Sequence, residues 1–156
     1  TNEASEIIAG EIGRAEFIEA MNAKARQLGM FDTTFVDPSG LGDGNVSSLG
    51  DLYTLSRYIE ENRSFIFEIT SSESVPSAYV GGEFDGLINF NEIDGLDNFV
   101  GGKVGETTAA GQTSVSLHEV RFNGSDRTLV VILLGSENRT EDIKTLIRYA
   151  QGRFGR

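Results

Sequence analysis

The sequence predicts an α+β fold, because helical and strand periodicities occupy different parts of the chain. Helical spacing fills the first third and returns at the C-terminal end, while two apolar runs of strand type flank one turn between them. No internal repeat or low-complexity linker interrupts that order. At 156 residues, 38% hydrophobic and with two prolines, the chain fits a single domain with a real core.

From Glu3 to Leu28 the apolar residues form two groups at helical spacing, Ile7, Ile8 and Ile12, then Phe17, Met21, Ala25 and Leu28. Two short helices, or one helix broken near Gly10 to Gly13, are expected. Asn2 is placed to cap the first and Gly29 to end the second. Thr33 to Asn45, rich in Asp, Gly, Ser and Pro, predicts a loop. Ser47 and Ser48 with Asp51 open a further helix carrying Leu52, Leu55 and Ile59, which ends near Asn62.

Residues Ser71 to Asn98 read as mixed and turn-rich. Val115, Leu117 and Val120, followed by Leu129 to Leu134, predict two strands around the turn Asn123-Gly124-Ser125-Asp126. A last helix from about Thr140 to Ala150 sets Ile143, Leu146, Ile147 and Ala150 on one face.

Thirteen basic against 24 acidic residues leave a net charge of −11, which repels a phosphate backbone. Nucleic acid and anionic membrane surfaces are therefore not expected partners. The longest apolar run, Leu129 to Leu134, falls far short of the roughly 20 residues of a membrane span. The chain opens in polar, helix-compatible residues rather than an apolar leader, so a soluble chain is expected.

With no cysteine there is no disulfide, zinc thiolate or thiol nucleophile. The single histidine, His118, argues against a zinc cluster and a Ser-His-Asp triad alike, and is expected on the solvent face of its strand. No metal or cofactor is expected. Asp37, Asp43 and Asn45 share a loop, but Ser39 and Leu41 break the alternating calcium-ligand pattern, and turn chemistry accounts for the loop.

The stretch GGKVGETTAAG, Gly101 to Gly111, sets one lysine among glycines and small residues. Glycines admit a close ligand and a cation favours an anion. A phosphate loop would need Ser or Thr directly after the lysine, and Val104 stands there. The alternative is a glycine-rich hairpin with a solvated lysine.

The order Phe17-Ile18-Glu19-Ala20-Met21-Asn22-Ala23-Lys24-Ala25, Leu28-Gly29-Met30, Thr34-Phe35, Asp37-Pro38-Ser39-Gly40-Leu41, Ser47-Ser48 with Asp51-Leu52, Asn89-Phe90-Asn91, and Gly102-Lys103-Val104-Gly105-Glu106-Thr107 with Ala110-Gly111 carries a family pattern. It resembles the serine-type D-alanyl-D-alanine carboxypeptidases, the low-molecular-weight penicillin-binding proteins of peptidase family S11. The resemblance covers essentially the whole chain.

In that family a serine attacks the D-Ala-D-Ala end of a peptidoglycan stem peptide, and water hydrolyses the acyl-enzyme. The resemblance makes Lys103 the lysine of the K-T-G strand, holding the substrate carboxylate, with Val104, Gly105 and Thr107 lining the same subsite. It places the backbone N–H of Glu106 in the oxyanion hole. Asn2 becomes the asparagine of the S-x-N motif if a serine precedes Thr1.

Two departures accompany the match. No S-x-x-K occurs in the 156 residues, so the chain is expected to be the C-terminal portion of the catalytic domain, inactive without the segment that carries the nucleophile. Val104 replaces the K-T-G threonine and deletes a hydroxyl, and a lost hydrogen bond to a carboxylate costs roughly 1.5–3 kcal/mol. Thr107 and Thr108 are the nearest hydroxyls in sequence. The alternative function is a catalytically degenerate homologue that binds cell-wall peptides or a protein partner.

The resemblance further implies part of a penicillin-binding-protein or β-lactamase-like transpeptidase fold. Antiparallel strands near Phe99 to Thr107, Thr113 to Phe122 and Thr128 to Gly135 would pack on the terminal helix. Within one domain, residues 1–70 form a helical subregion and 71–156 the sheet and terminal helix. Expected partners are a D-Ala-D-Ala peptide or β-lactam once the N-terminal part is supplied, and the missing N-terminal fragment or a second copy on an uncovered face. An extracytoplasmic location follows from the resemblance alone.

Overall fold

A computed structural model describes residues 1–71, 96 and 98–155. Four helices come first: α1 Asn2–Ile12, α2 Arg14–Gln27, α3 Leu49–Asn62 and α4 Phe65–Thr70. Strands β1 Phe99–Thr107, β2 Gly111–Phe122 and β3 Ser125–Ser136 then form an antiparallel sheet in the order β1-β2-β3, and helix α5, Arg139–Phe154, closes the chain. The α+β class is the observed one. Asn89-Phe90-Asn91 and most of the turn-rich stretch lie outside the described residues.

The expected break in the first helical region falls at Gly13, whose φ of 104° no helix interior accommodates. Thr1, not Asn2, caps α1: the Ala4 amide donates to Thr1 Oγ1, and Asn2 is already the first helical residue. Gly29, at φ 80°, ends α2 as expected. Its amide donates to Arg26 O and that of Met30 to Ala25 O, the paired bonds of a Schellman motif. Ser48 caps α3 by accepting from the Asp51 amide, again as the sequence indicates.

The family signature is a set of backbone anchors. Asn22 in α2 grips Phe35 twice, accepting from its amide at 2.9 Å and donating to its carbonyl at 2.8 Å. The Asp37 carboxylate receives the amides of Ser39, Gly40 and Gly42, the Ser39 hydroxyl and the Asn45 side chain. Burial pushes the Asp37 pKa up, but those donors outweigh it and hold the group well below the usual carboxylate range. Turn chemistry thus occupies the loop.

The hairpin between β2 and β3 turns at Asn123 and Gly124, both with positive φ, the requirement of a two-residue type I′ loop. On one face of the sheet Val120 and Val131 pack with Ile143 and Ile147 of α5, with Phe99, Val104 and Leu133 around them. Leu146, expected on that face, is exposed instead. Helix α4 packs on β1, and α3 meets β3.

β2 lies between two strands, with Ser114, Ser116, His118 and Val120 buried along one side-chain row, while on the other row Leu117 is buried and Glu119 and Arg121 are exposed. His118 is therefore inside, not on the solvent face. Its Nε2 pairs with Ser116 Oγ at 3.0 Å, the Ser116 hydroxyl reaches Val131 O, and Nδ1 has no partner among the described residues. Burial lowers its pKa from 6.5 to about 4.

Because the fold accepts the neutral ring, its contribution is full above pH 6.5 and is lost as the pH falls from 6.5 toward 4. That amounts to roughly 3 kcal/mol at about 1.4 kcal/mol per pH unit. Urea unfolding at pH 7.5 and 5 should show about 2 kcal/mol of this loss in the wild type. A His118→Gln chain should show a flatter profile over the same window.

Candidate active site

β1 is an edge strand among the described strands, and it carries the glycine-flanked lysine. Lys103 pairs across the sheet with Val115, Val104 with Ser114, Gly105 with Thr113 and Glu106 with Gln112. The Gly102 amide donates to Thr70 Oγ1 of α4, on the side away from β2. By the two-residue alternation of a strand, the Glu106 amide points to that same outer edge.

Lys103 is exposed and turns its ammonium onto the Val104 carbonyl. Desolvation first, and the Arg139 charge second, lower its pKa below the ordinary lysine value. Arg139, the first residue of α5, is 6% exposed. Its Nη1 donates to Gly105 O at 3.2 Å and to Thr113 O at 3.5 Å, while Nε has no partner among the described residues. Among the described residues no carboxylate pairs with either cation. Two like charges thus stand beside one strand.

Sequence reasoning named Lys103 and passed over Arg139. A signal was present: a cation at the first position of a helix opposes the positive end of the helix dipole, whereas Glu141 and Asp142 in the same turn suit it. The helix dipole does not favour arginine there.

The remaining expected residues take varied places. Val104 packs its side chain on the α5-side core, and its carbonyl takes the Lys103 ammonium. Gly105 supplies the carbonyl that holds Arg139. The exposed Glu106 side chain accepts from Gln112 Nε2 at 3.3 Å. Thr107 Oγ1 accepts from the Ala110 amide and closes the β1–β2 turn. Asn2 sits in the exposed first turn of α1, which packs on α2, and no hydrogen bond joins it to β1.

A strand at the edge of the described sheet, with an outward amide and two cations beside it, set on a sheet backed by a C-terminal helix, is an arrangement of the penicillin-binding-protein kind of fold. The family model for D-alanyl-D-alanine carboxypeptidase, peptidase S11, matches residues 1–136. The chain belongs to that family.

The D-alanyl-D-alanine carboxypeptidase DacD of Escherichia coli K12 is 30% identical over 96% of this chain and 37% of its own length. A D-alanyl-D-alanine endopeptidase of Haemophilus influenzae is 52% identical over 32% of this chain and 17% of its own. Penicillin-binding protein D2 of Listeria monocytogenes, solved in a cefotaxime-bound form, superposes with a TM-score of 0.76 at 28% identity, over 98% of this chain and 62% of that one. A D-alanyl-D-alanine carboxypeptidase of Mycobacterium tuberculosis gives 0.69 at 28% identity, over 96% and 58%. The chain thus spans well under half of these curated relatives and about three-fifths of these solved structures.

Proposed function

We propose that these residues form the carboxylate-holding part of a serine-type D-Ala-D-Ala carboxypeptidase acting on peptidoglycan stem peptides through an acyl-enzyme. The observation that carries the reading is Arg139, buried beside Lys103 with no counter-carboxylate among the described residues. The two cations hold the terminal carboxylate of D-Ala-D-Ala, which brings the scissile carbonyl alongside the Glu106 amide. That amide stabilises the oxyanion as the serine adds, the terminal D-Ala leaves, and water releases the acyl group.

In this proposal the nucleophile comes from an S-x-x-K segment outside residues 1–156, and Asn2 closes an S-x-N motif. Gly105 and Thr107 keep the subsite in shape. Residues 1–70 and 71–156 act as the helical and sheet subregions of one catalytic domain, working outside the cytoplasm. Among the described residues no helix is long and apolar enough to cross a membrane. Ile7, Ile8 and Ile12 are 66%, 53% and 60% exposed along α1, a face for the N-terminal fragment or a second copy.

The second reading, a homologue that binds cell-wall peptides without hydrolysing them, is favoured by Val104, whose side chain belongs to the core and brings no hydroxyl. Calorimetry with an N-acylated D-Ala-D-Ala peptide tests what both readings share. The chain should bind the free acid and lose most of that affinity for the C-terminal amide. Equal affinity for both would refute the carboxylate site.

A further inference from the structure

We infer that Gln112 is a positioning residue, one that fixes the carboxylate-binding Arg139 against the edge strand. The inference rests on the carboxylate reading of Lys103 and Arg139 and adds a residue that touches no substrate.

Gln112 stands at the start of β2, half-buried, opposite Glu106 on β1 and Ser136 on β3. Its Oε1 accepts from the Arg139 amide at 2.8 Å, and its Nε2 donates to Glu106 Oε2 at 3.3 Å. One side chain therefore ties the first turn of α5 to the residue whose amide faces the strand edge. The β2–β3 register shifts just beyond it, between Gln112 and Ser114, so regular ladder pairing does not by itself fix this corner.

The rest of the corner holds other atoms. Asn138 caps the Glu141 amide, and Ser136 receives the Asn138 amide and donates to Asp142. Only Gln112 takes the Arg139 amide among the described residues. The guanidinium itself hangs on two strand carbonyls, of Gly105 and Thr113, at 3.2 and 3.5 Å. If the helix start drifts, those long contacts loosen and the cation leaves its register with Lys103.

The test compares affinities for an N-acylated D-Ala-D-Ala peptide and its C-terminal amide by calorimetry, alongside melting temperature. Gln112→Ala should reduce the acid-over-amide preference about tenfold, the equivalent of one hydrogen bond, with little change in amide affinity. The paired exchange Glu106→Gln with Gln112→Glu keeps an acceptor for the Arg139 amide and reverses the donor and acceptor across the strands. It should restore the preference to within about threefold of wild type.

Equal losses for acid and amide in Gln112→Ala would reduce Gln112 to a stabilising residue and overturn the inference. So would an unchanged preference, or an exchange that folds and does not rescue. A wild-type chain with no acid preference overturns the carboxylate reading itself, and this inference with it.

Discussion

Replacing Lys103 and Arg139 together by methionine should lower affinity for D-Ala-D-Ala peptides by roughly 10²–10⁴-fold, which in calorimetry means no measurable heat. Each cation offers a charged hydrogen bond worth about 1.5–3 kcal/mol, and the pair adds to about 3–6 kcal/mol. Stability should move the other way or not at all. Lys103 is exposed, so its charge contributes little to folding. Among the described residues Arg139 is a buried cation with an orphan Nε and no ion pair, and methionine keeps its stem packing while removing the desolvated charge. Binding lost with the melting temperature held or raised is the signature of a site kept for function at a cost to the fold. A drop in melting temperature with binding intact would mark both residues as structural.

Gly101→Ala should be a strongly destabilising small change near the site. A Cβ there would lie 2.4 Å from Phe67 O and 2.8 Å from Phe67 Cα, both main-chain atoms of α4 that no side-chain rotation can move. Either α4 lifts off β1 or β1 bends, at a cost of about 3 kcal/mol. Both outcomes displace the strand edge, because the Gly102 amide is held by Thr70 of the same helix. Gly10→Ala is the control. Gly10 lies inside α1 with open space around it, so the exchange should gain about 0.5–1 kcal/mol. Guanidinium unfolding midpoints of the two variants should fall on opposite sides of wild type.

Elements written in local chemistry were legible in the sequence. The Gly13 break, the Gly29 end of α2, the Ser48 cap and the Asn123-Gly124 turn each follow from a residue whose backbone or side chain decides the matter alone. The exceptions are decided by neighbours distant in sequence. Helix α4 is six residues long, too short to persist by propensity, and rests on β1, more than thirty positions away. His118 looked like an outward residue because Val115 and Leu117 point to the other side-chain row as the inner one, whereas the row of Ser114, Ser116, His118 and Val120 is the buried one and Glu119 and Arg121 face outward. The isoleucines of α1 have helical spacing yet stay exposed, since spacing names a face without naming what covers it. At the site, Lys103 announced itself through its glycines, whereas Arg139 became visible only when the sheet brought α5 to Gly105.

The measurement that bears most directly on the account is the intact mass of the chain after incubation with a penicillin. The drug's carboxylate suits Lys103 and Arg139, but a covalent adduct needs a serine whose proton a nearby lysine can take. No serine among residues 1–156 stands in an S-x-x-K sequence. The account predicts that residues 1–156 alone keep their unmodified mass, and that the same residues supplied with an upstream S-x-x-K segment gain the mass of one drug molecule. An adduct on residues 1–156 alone would contradict it, by showing that the nucleophile lies within them.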